Sequence, residues 1–488
     1  MQQLDPFDAA YIHLETPTTP PQVLAVYVFD SGAAAAGSLT RESVTDRFVA
    51  RIARIPALRH RVCTVPLSLD HPYWVDDTSF DAARHLHFHD SQGGDWAALR
   101  RRLIEIAESP MDLSRPPWEI HVVTGLRDVD GAAEATAVVI RLHHVFGDGL
   151  ASVEIARTLF TDEVQDASFG AAHADVGSQA PNGTDLVWRA LRQAPRRLVE
   201  AGRGVRDTVA ASREAGDRAR QGAITLPQPT RPRTRFNHRP TRARTFDAAR
   251  FTVAEVKVAR AMVPGTTVND VLLTTVSAAL GRYLEEKGEL PPESLAALVP
   301  MSTRGILERG SVNQYDPLIV DLYTTEPDLR RRLELISASI REDKQRDLDD
   351  AVQRSRGLVR VLPAPGVAVL SVVSRYWPES GDRVSLSNTM VTNVMRGPAD
   401  MRLGDAPVVS SYGLPSPDDH TALCHGIYSI GDSLSLCFVS DPQMLPDPER
   451  YSALLRQSFD ELVRALGESG EGSGEDAVVP TPGSPAPR

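Results

Sequence analysis

The chain has 488 residues, of which 24% are charged and 42% hydrophobic, and a formal net charge of −11. That length exceeds one ordinary core and predicts two domains or two packed halves, while the acidic balance excludes a general nucleic-acid binder, which needs a basic face for phosphates. Cys63, Cys424 and Cys437 are far apart, odd in number and without metal-ligand spacing; a reduced, cytoplasmic protein is therefore expected.

The first residues, Met-Gln-Gln-Leu-Asp-Pro-Phe-Asp, have neither a basic n-region nor an apolar h-region, so no secretory signal is expected. A short turn or helix and a Pro-rich link then lead into a strand at Val23 to Phe29. Residues 39 to 55 predict a helix, N-capped by Thr40 and closed by Pro56. Two short strands follow, Leu58 to Val62 and Pro72 to Asp76. His85, His87 and His89 alternate with Leu86 and Phe88, which puts three imidazoles on one strand face. Only Asp90 is near enough in sequence to help them hold a metal, so the solvated side of an alternating strand is the preferred reading and no metal is expected. Trp96 to Ser109 is helical in pattern, and Ser-Arg-Pro-Pro-Trp then enters another strand, where the two prolines hold Trp118 stiffly. That indole suits a core position and the wall of a substrate channel equally well.

Ala137 to Glu154 organises the rest. A run rich in β-branched residues ends in His143 and His144, and Gly147 and Gly149 break the pattern before a helix begins. Alternation along a strand sends the two rings to opposite faces, one toward a cavity and one into packing. Asp148 can fold back across the turn to orient a ring or anchor the loop. A neutral imidazole here suits a general base; a metal does not suit it, since zinc needs three or four convergent ligands.

Thr161 to Asn182 reads as a linker. In Leu186 to Arg220, Leu, Trp and Val recur at helical spacing among nine arginines; this is either a solvated bridging helix or an amphipathic helix on an anionic lipid surface. Pro195, Gly202 and Gly204 argue against a single long helix. Residues 223 to 245 form an extended crossing. The second half predicts helices from Val253 and Thr267, with Thr267 and Asp270 as a capping box, and strands at Leu295 to Arg304 and Leu318 to Tyr323. A long charged helix on the outside, Glu326 to Arg356, precedes an apolar stretch, Gly357 to Trp377, too interrupted to span a membrane. A strand from Val384 is broken by Gly397-Pro398, a hairpin turns at Gly431-Asp432, a last helix covers Asp447 to Leu466, and the Gly/Ser/Pro/Glu tail is expected to be disordered.

The pattern His143-His-Val-Phe-Gly-Asp-Gly resembles the His-His-x-x-x-Asp-Gly signature of the CoA-dependent acyltransferase superfamily. Together with Leu4-Asp-Pro-Phe-Asp, Ser114-Arg-Pro-Pro-Trp, Thr267-Val-Asn-Asp-Val, Val299-Pro-Met-Ser-Thr-Arg and Thr392-Asn-Val-Met-Arg-Gly-Pro, it stands in the order found in bacterial wax ester synthase/acyl-CoA:diacylglycerol acyltransferases. The resemblance runs from about residue 4 to 466. It implies an α/β (α+β) fold of two chloramphenicol-acetyltransferase-like halves, each a mixed β-sheet flanked by helices, with a substrate tunnel between them. The corresponding division is 1–182 for the half carrying the histidines, 183–245 for the Arg-rich linker and crossing, 246–466 for the second half and 467–488 for the tail.

The resemblance further implies acyl transfer from acyl-CoA, a co-substrate and not a cofactor, to a long-chain alcohol or diacylglycerol. His144 would be the base, His143 a packing residue, Asp148 a geometric anchor bridged to an arginine such as Arg304, and Gly149 part of the turn. Trp118, Asn269, Asp270, Ser302 and Arg304 are expected beside substrate, and Thr392 and Asn393 are expected to polarise the carbonyl. A peripheral location at the inner membrane or lipid droplets accompanies this reading. Pro117 replaces the family's usual leucine before Trp118, and Met395-Arg396 replaces a single proline, which leaves the acceptor open: a non-lipid acceptor of specialised metabolism is a second reading, and a non-catalytic lipid-binding protein a third.

Overall fold

The computed structural model describes residues 1–35, 37–161, 181–303, 311–376, 381–385 and 387–471. Of the twelve strands in its two large sheets, eleven are used below: β1 (Gln22–Asp30), β2 (Leu86–Gly94), β3 (Trp118–Val129), β4 (Ala132–His143), β5 (Thr245–Thr252), β6 (Ala296–Ser302), β7 (Tyr315–Asp321), β8 (Thr389–Met395), β9 (Ala406–Leu414), β10 (Cys424–Ile430) and β11 (Ser433–Ser440). The first sheet runs β9-β1-β4-β3-β2, with the two-residue strand Arg402–Leu403 beyond β9; the second runs β7-β6-β8-β10-β11-β5. Both are mixed, with β2 parallel to β3 and β8 parallel to β6 and β10. The helices used below are α1 (Pro6–Leu14), α2 (Trp96–Glu108), α3 (Gly149–Phe160), α4 (Gly183–Arg220), α5 (Val268–Glu286), α6 (Leu329–Asp347), α7 (Ala364–Tyr376) and α8 (Pro448–Glu471).

Each sheet buries one face under its own helices. Val44, Phe48 and Ile155 cover the first sheet's Tyr27, Phe29 and Ile140, and α5 and α8 cover the second through Leu272, Val276, Leu455 and Phe459. A third cluster joins the halves, with Val26, Val139 and Tyr412 from the first sheet and Phe246, Tyr428 and Cys437 from the second. At roughly 1.5–3 kcal/mol for each fully buried large apolar side chain, this shared cluster stabilises the junction of the halves.

Three elements depart from expectation. The segment Ala406–Leu414 belongs by sequence to the second half, yet it pairs antiparallel with β1, Tyr412 opposite Val26, and so completes the first sheet. α4 is one helix of 38 residues despite Pro195. Its buried Leu186, Ala190, Ala201, Thr208, Ala211 and Ala215 form a stripe along its whole length, and tertiary burial of that stripe outweighs the one backbone hydrogen bond that proline forfeits. Gly204 serves the same contact: a Cβ there would stand 2.6 Å from Val361 Cβ. Finally, the charged stretch 326–356 is neither single nor wholly outside. α6 ends at Asp347, and Asp349 caps a new helix, Asp350–Ser355. The buried Asp347 is bonded to Arg356 at 2.8 Å, and Asp343 to Arg346 at 2.6 Å, so ion pairing lets this face enter the core. The linker from 162 to 180, Arg304 and the tail beyond 471 lie outside the described residues.

Candidate active site

The histidine doublet sits where β4 runs out. Gln22 pairs with His143, the last ladder residue, and a turn through His144, Val145 and Phe146 follows. His143 is fully buried, its Nδ1 accepts the Val145 N–H at 3.0 Å, and its Nε2 lies 3.6 Å from a Glu15 carboxylate oxygen. It packs and pins the turn. His144 is only half-buried. Its N–H donates to the Pro21 carbonyl at 2.9 Å, and its ring stacks on Tyr11 with centroids 4.9 Å apart and planes 12° from parallel. Burial, helped by the neighbouring His143, pushes its pKa down to about 4, so the ring is a neutral imidazole over the physiological range. Its Nδ1 is a buried atom.

Asp148 caps α3. Its Oδ1 accepts the N–H groups of Leu150 at 3.0 Å and Ala151 at 3.1 Å, which fixes the turn that carries His144. The bridge expected to Arg304 falls outside the described residues. Gly149 is the first residue of α3, with no left-handed backbone to require glycine. Its constraint is space, because a Cβ there would come within 2.9 Å of Val394 Cγ2 on β8. The motif glycine thus lets the two halves touch beside the histidine.

Several residues at this junction escaped sequence reasoning. Asp8 on α1 is buried and accepts from Ser311 Oγ at 2.7 Å, Val312 N at 3.0 Å and Asn313 Nδ2 at 2.8 Å. Burial raises its pKa to about 6 against the opposing pull of those donors. The Asn313 carboxamide also donates to the His144 carbonyl at 2.8 Å. Tyr11 reaches a short hydroxyl–hydroxyl contact with Tyr315, and Phe7 meets the Tyr315 ring edge-on at 5.7 Å. α1 thereby ties the histidine turn of the first half to β7 of the second. The only sequence signal was the Asp-Pro-Phe-Asp segment itself; the partners lie about three hundred residues away.

The remaining expected residues fall into three groups. Trp118 is buried in the first core, its indole N–H bonded to the Leu58 carbonyl at 2.7 Å and its ring stacked on His85, which is the structural one of its two roles. Asp270 is committed to the capping box with Thr267, at 2.9 and 3.2 Å, and Asn269 is half-buried beside it. Ser302 is exposed at the end of β6. Thr392 and Asn393 separate: Thr392 is half-buried on the same strand face as Val394, the residue that meets Gly149, whereas alternation turns exposed Asn393 to the other face. One oxygen cannot be polarised by both. Among the described residues no third His, Cys, Asp or Glu ligand atom converges with His144 and Asp148 as a metal would require.

The family model described as wax ester synthase/diacylglycerol acyltransferase catalytic domain matches residues 4–272, and that of the WS/DGAT C-terminal domain matches 312–463. Two Mycobacterium tuberculosis proteins named for diacylglycerol O-acyltransferase activity are similar over nearly their whole length. One is 27% identical over 478 residues, covering 95% of this chain and 98% of the relative; another is 28% identical over 491 residues, covering 96% and 98%. Among solved structures, a wax ester synthase/diacylglycerol acyltransferase from Marinobacter aquaeolei VT8 superposes with a TM-score of 0.66 at 21% identity, covering 96% of this chain and all of that one. The first condensation domain of the calcium-dependent antibiotic synthetase gives a TM-score of 0.57 at 15% identity, covering 96% of each chain.

Proposed function

Because the chain belongs to the wax ester synthase/diacylglycerol acyltransferase family, we propose that it moves a fatty acyl group from a CoA thioester to the hydroxyl of a long-chain alcohol or diacylglycerol, with His144 as general base. One observation carries the assignment: a neutral, half-buried imidazole stands at the seam of the halves, fixed through its ring by Tyr11 and through its backbone by Pro21 and Asn313.

His144 Nε2 takes the acceptor's proton as its oxygen attacks the thioester carbonyl. The oxyanion collapses, the C–S bond breaks, and the departing thiolate takes the proton back from the imidazolium, leaving ester and free CoA. Positioned proton transfer of this kind contributes about 10²- to 10⁴-fold. Holding both substrates in one complex removes much of the entropic barrier to their encounter. The Thr392 hydroxyl is the donor assigned to the oxyanion.

Replacing His144 by Ala should abolish CoA release while circular dichroism and thermal unfolding stay close to wild type. Wild-type turnover in that variant would remove the base assignment. Mass spectrometry of the product formed from one acyl-CoA and mixed acceptors identifies the acceptor; an amide or a non-lipid ester would replace the lipid-forming reading with the specialised-metabolite one.

No described helix is long and apolar enough to cross a membrane. The reading extends to a peripheral contact through α4, where Trp188, Leu191, Leu198 and Val199 are more than half exposed among Arg189, Arg192, Arg196 and Arg203. Such a face suits an anionic lipid surface. Flotation with phosphatidylglycerol vesicles should fall sharply in Trp188→Asp/Leu198→Asp, and equal flotation of variant and wild type would exclude α4 as the contact.

A further inference from the structure

Outside the His144 junction, the densest group of imidazoles lies at the edge of the first sheet. The alternation of His85, His87 and His89 predicts one shared face, and the structure divides it. His85 closes a short helical turn before β2, stacks on Trp118 at 4.3 Å and bonds through Nδ1 to the Trp118 carbonyl at 2.8 Å. His87 and His89 stay on β2. Parallel pairing sets His87 opposite His121 of β3, and Glu119, two residues earlier on β3, shares that face. One ligand atom from each of His87, Glu119 and His121 lies within 4.8 Å of the other two.

We propose that His87, Glu119 and His121 form a binding site for a divalent transition-metal ion of the zinc type. Two imidazoles and a carboxylate are a ligand set such ions accept, with bonds of roughly 2.0–2.2 Å and hence ligand atoms roughly 3.3 Å apart. His121 Nε2 already stands 3.3 Å from Glu119 Oε2, so small side-chain rotations on an edge strand suffice for the third. His89 supplies what a ligating imidazole needs on its far side: its Nε2 lies 3.1 Å from His121 Nδ1, and a proton held there points the Nε2 lone pair at the ion. Water completes the sphere on the open side of β2.

Two cations flank the cluster and both are engaged. Arg141 bonds Glu119 Oε2 at 2.7 Å and also Gln22 and Ser109, and Arg102 is paired with Glu105 at 2.6 Å. Arg141 and His121 meet the same carboxylate oxygen, Glu119 Oε2, and an ion there takes the second lone pair of that oxygen while Arg141 keeps the first. Ligands near in sequence are too few to hold a metal, and strand pairing supplies the rest from β3. Since β2 is the outermost strand of its sheet, an ion there staples the edge to its neighbour.

The test uses tag-free, chelator-stripped full-length protein titrated with zinc chloride in a non-coordinating buffer. Wild type and the exposed-site control His420→Ala should each bind one equivalent, with a rise in the thermal midpoint. His87→Gln and His121→Gln should lose both the equivalent and the rise. X-ray absorption at the zinc edge of the wild-type complex should show nitrogen and oxygen ligands with imidazole scattering, a readout independent of how the variants fold. Absence of stoichiometric binding to wild type, retention of it in both variants, or sulfur ligation would overturn the assignment.

Discussion

The depressed pKa of His144 makes the acid limb of the rate profile a direct test of the site. With an ordinary imidazole pKa of about 6.5 only about 3% of the base would be neutral at pH 5, whereas with the value of about 4 set by burial about 90% remains neutral. The difference is roughly thirty-fold in kcat/KM. The assay is initial-rate CoA release, followed with a thiol reagent usable in acid, between pH of about 4 and about 8. Asp8, with its pKa raised to about 6, titrates in the same window and holds Asn313 against the His144 carbonyl; Asp8→Asn therefore serves as the control and should keep the limb near 4. A limb at 6.5 in both proteins would show that the working imidazole is solvated and refute the argument from burial. Stability must not be confused with this limb. Between 4 and 6.5 the folded chain binds fewer protons at His144 than the unfolded chain, so that contribution is lost as pH falls. Between 3.8 and 6 it binds more at Asp8, so that contribution grows as pH falls. Each is worth about 3 kcal/mol and the two oppose, but His89, lowered to about 4, and His425, lowered to about 3, also bind fewer protons folded than unfolded, so stability falls as pH falls and unfolding is followed alongside the rate.

Gly149→Ala should destabilise by about 1–3 kcal/mol through its overlap with Val394. Val394→Ala in the same chain should recover most of that loss in denaturant unfolding, and strict additivity of the two changes would disprove the contact. Asn313→Ala removes donors from both Asp8 and the His144 carbonyl; kcat should fall about 10- to 100-fold with little change in KM, and an unaltered kcat in steady-state assays would make the carboxamide merely structural.

Features encoded within a few residues were legible in the sequence. The end of β4 at His143, the Gly431-Asp432 hairpin and the Thr267/Asp270 capping box are each determined by alternation, turn chemistry or an N-terminal hydrogen-bond pair. What could not be read depends on distant partners. Nothing local to Asp8 announces Asn313, nothing near His87 announces His121, and Ala406–Leu414 has no local reason to join β1 rather than β10. Pro195 and Gly204 were local signals that tertiary burial overruled. Thr392 and Asn393 are adjacent, and on a strand adjacency makes them face apart.

The placement of β9 in the first sheet bears on how the chain is made. As synthesis proceeds from the N-terminus, a nascent polypeptide that has released everything up to the histidine motif still has β1 as a bare edge, open to pairing with any passing strand. That edge stays uncapped until residue 414 leaves the ribosome. Maturation of the earlier half is thereby deferred to the later one, and fragments cut between them are expected to aggregate instead of folding alone.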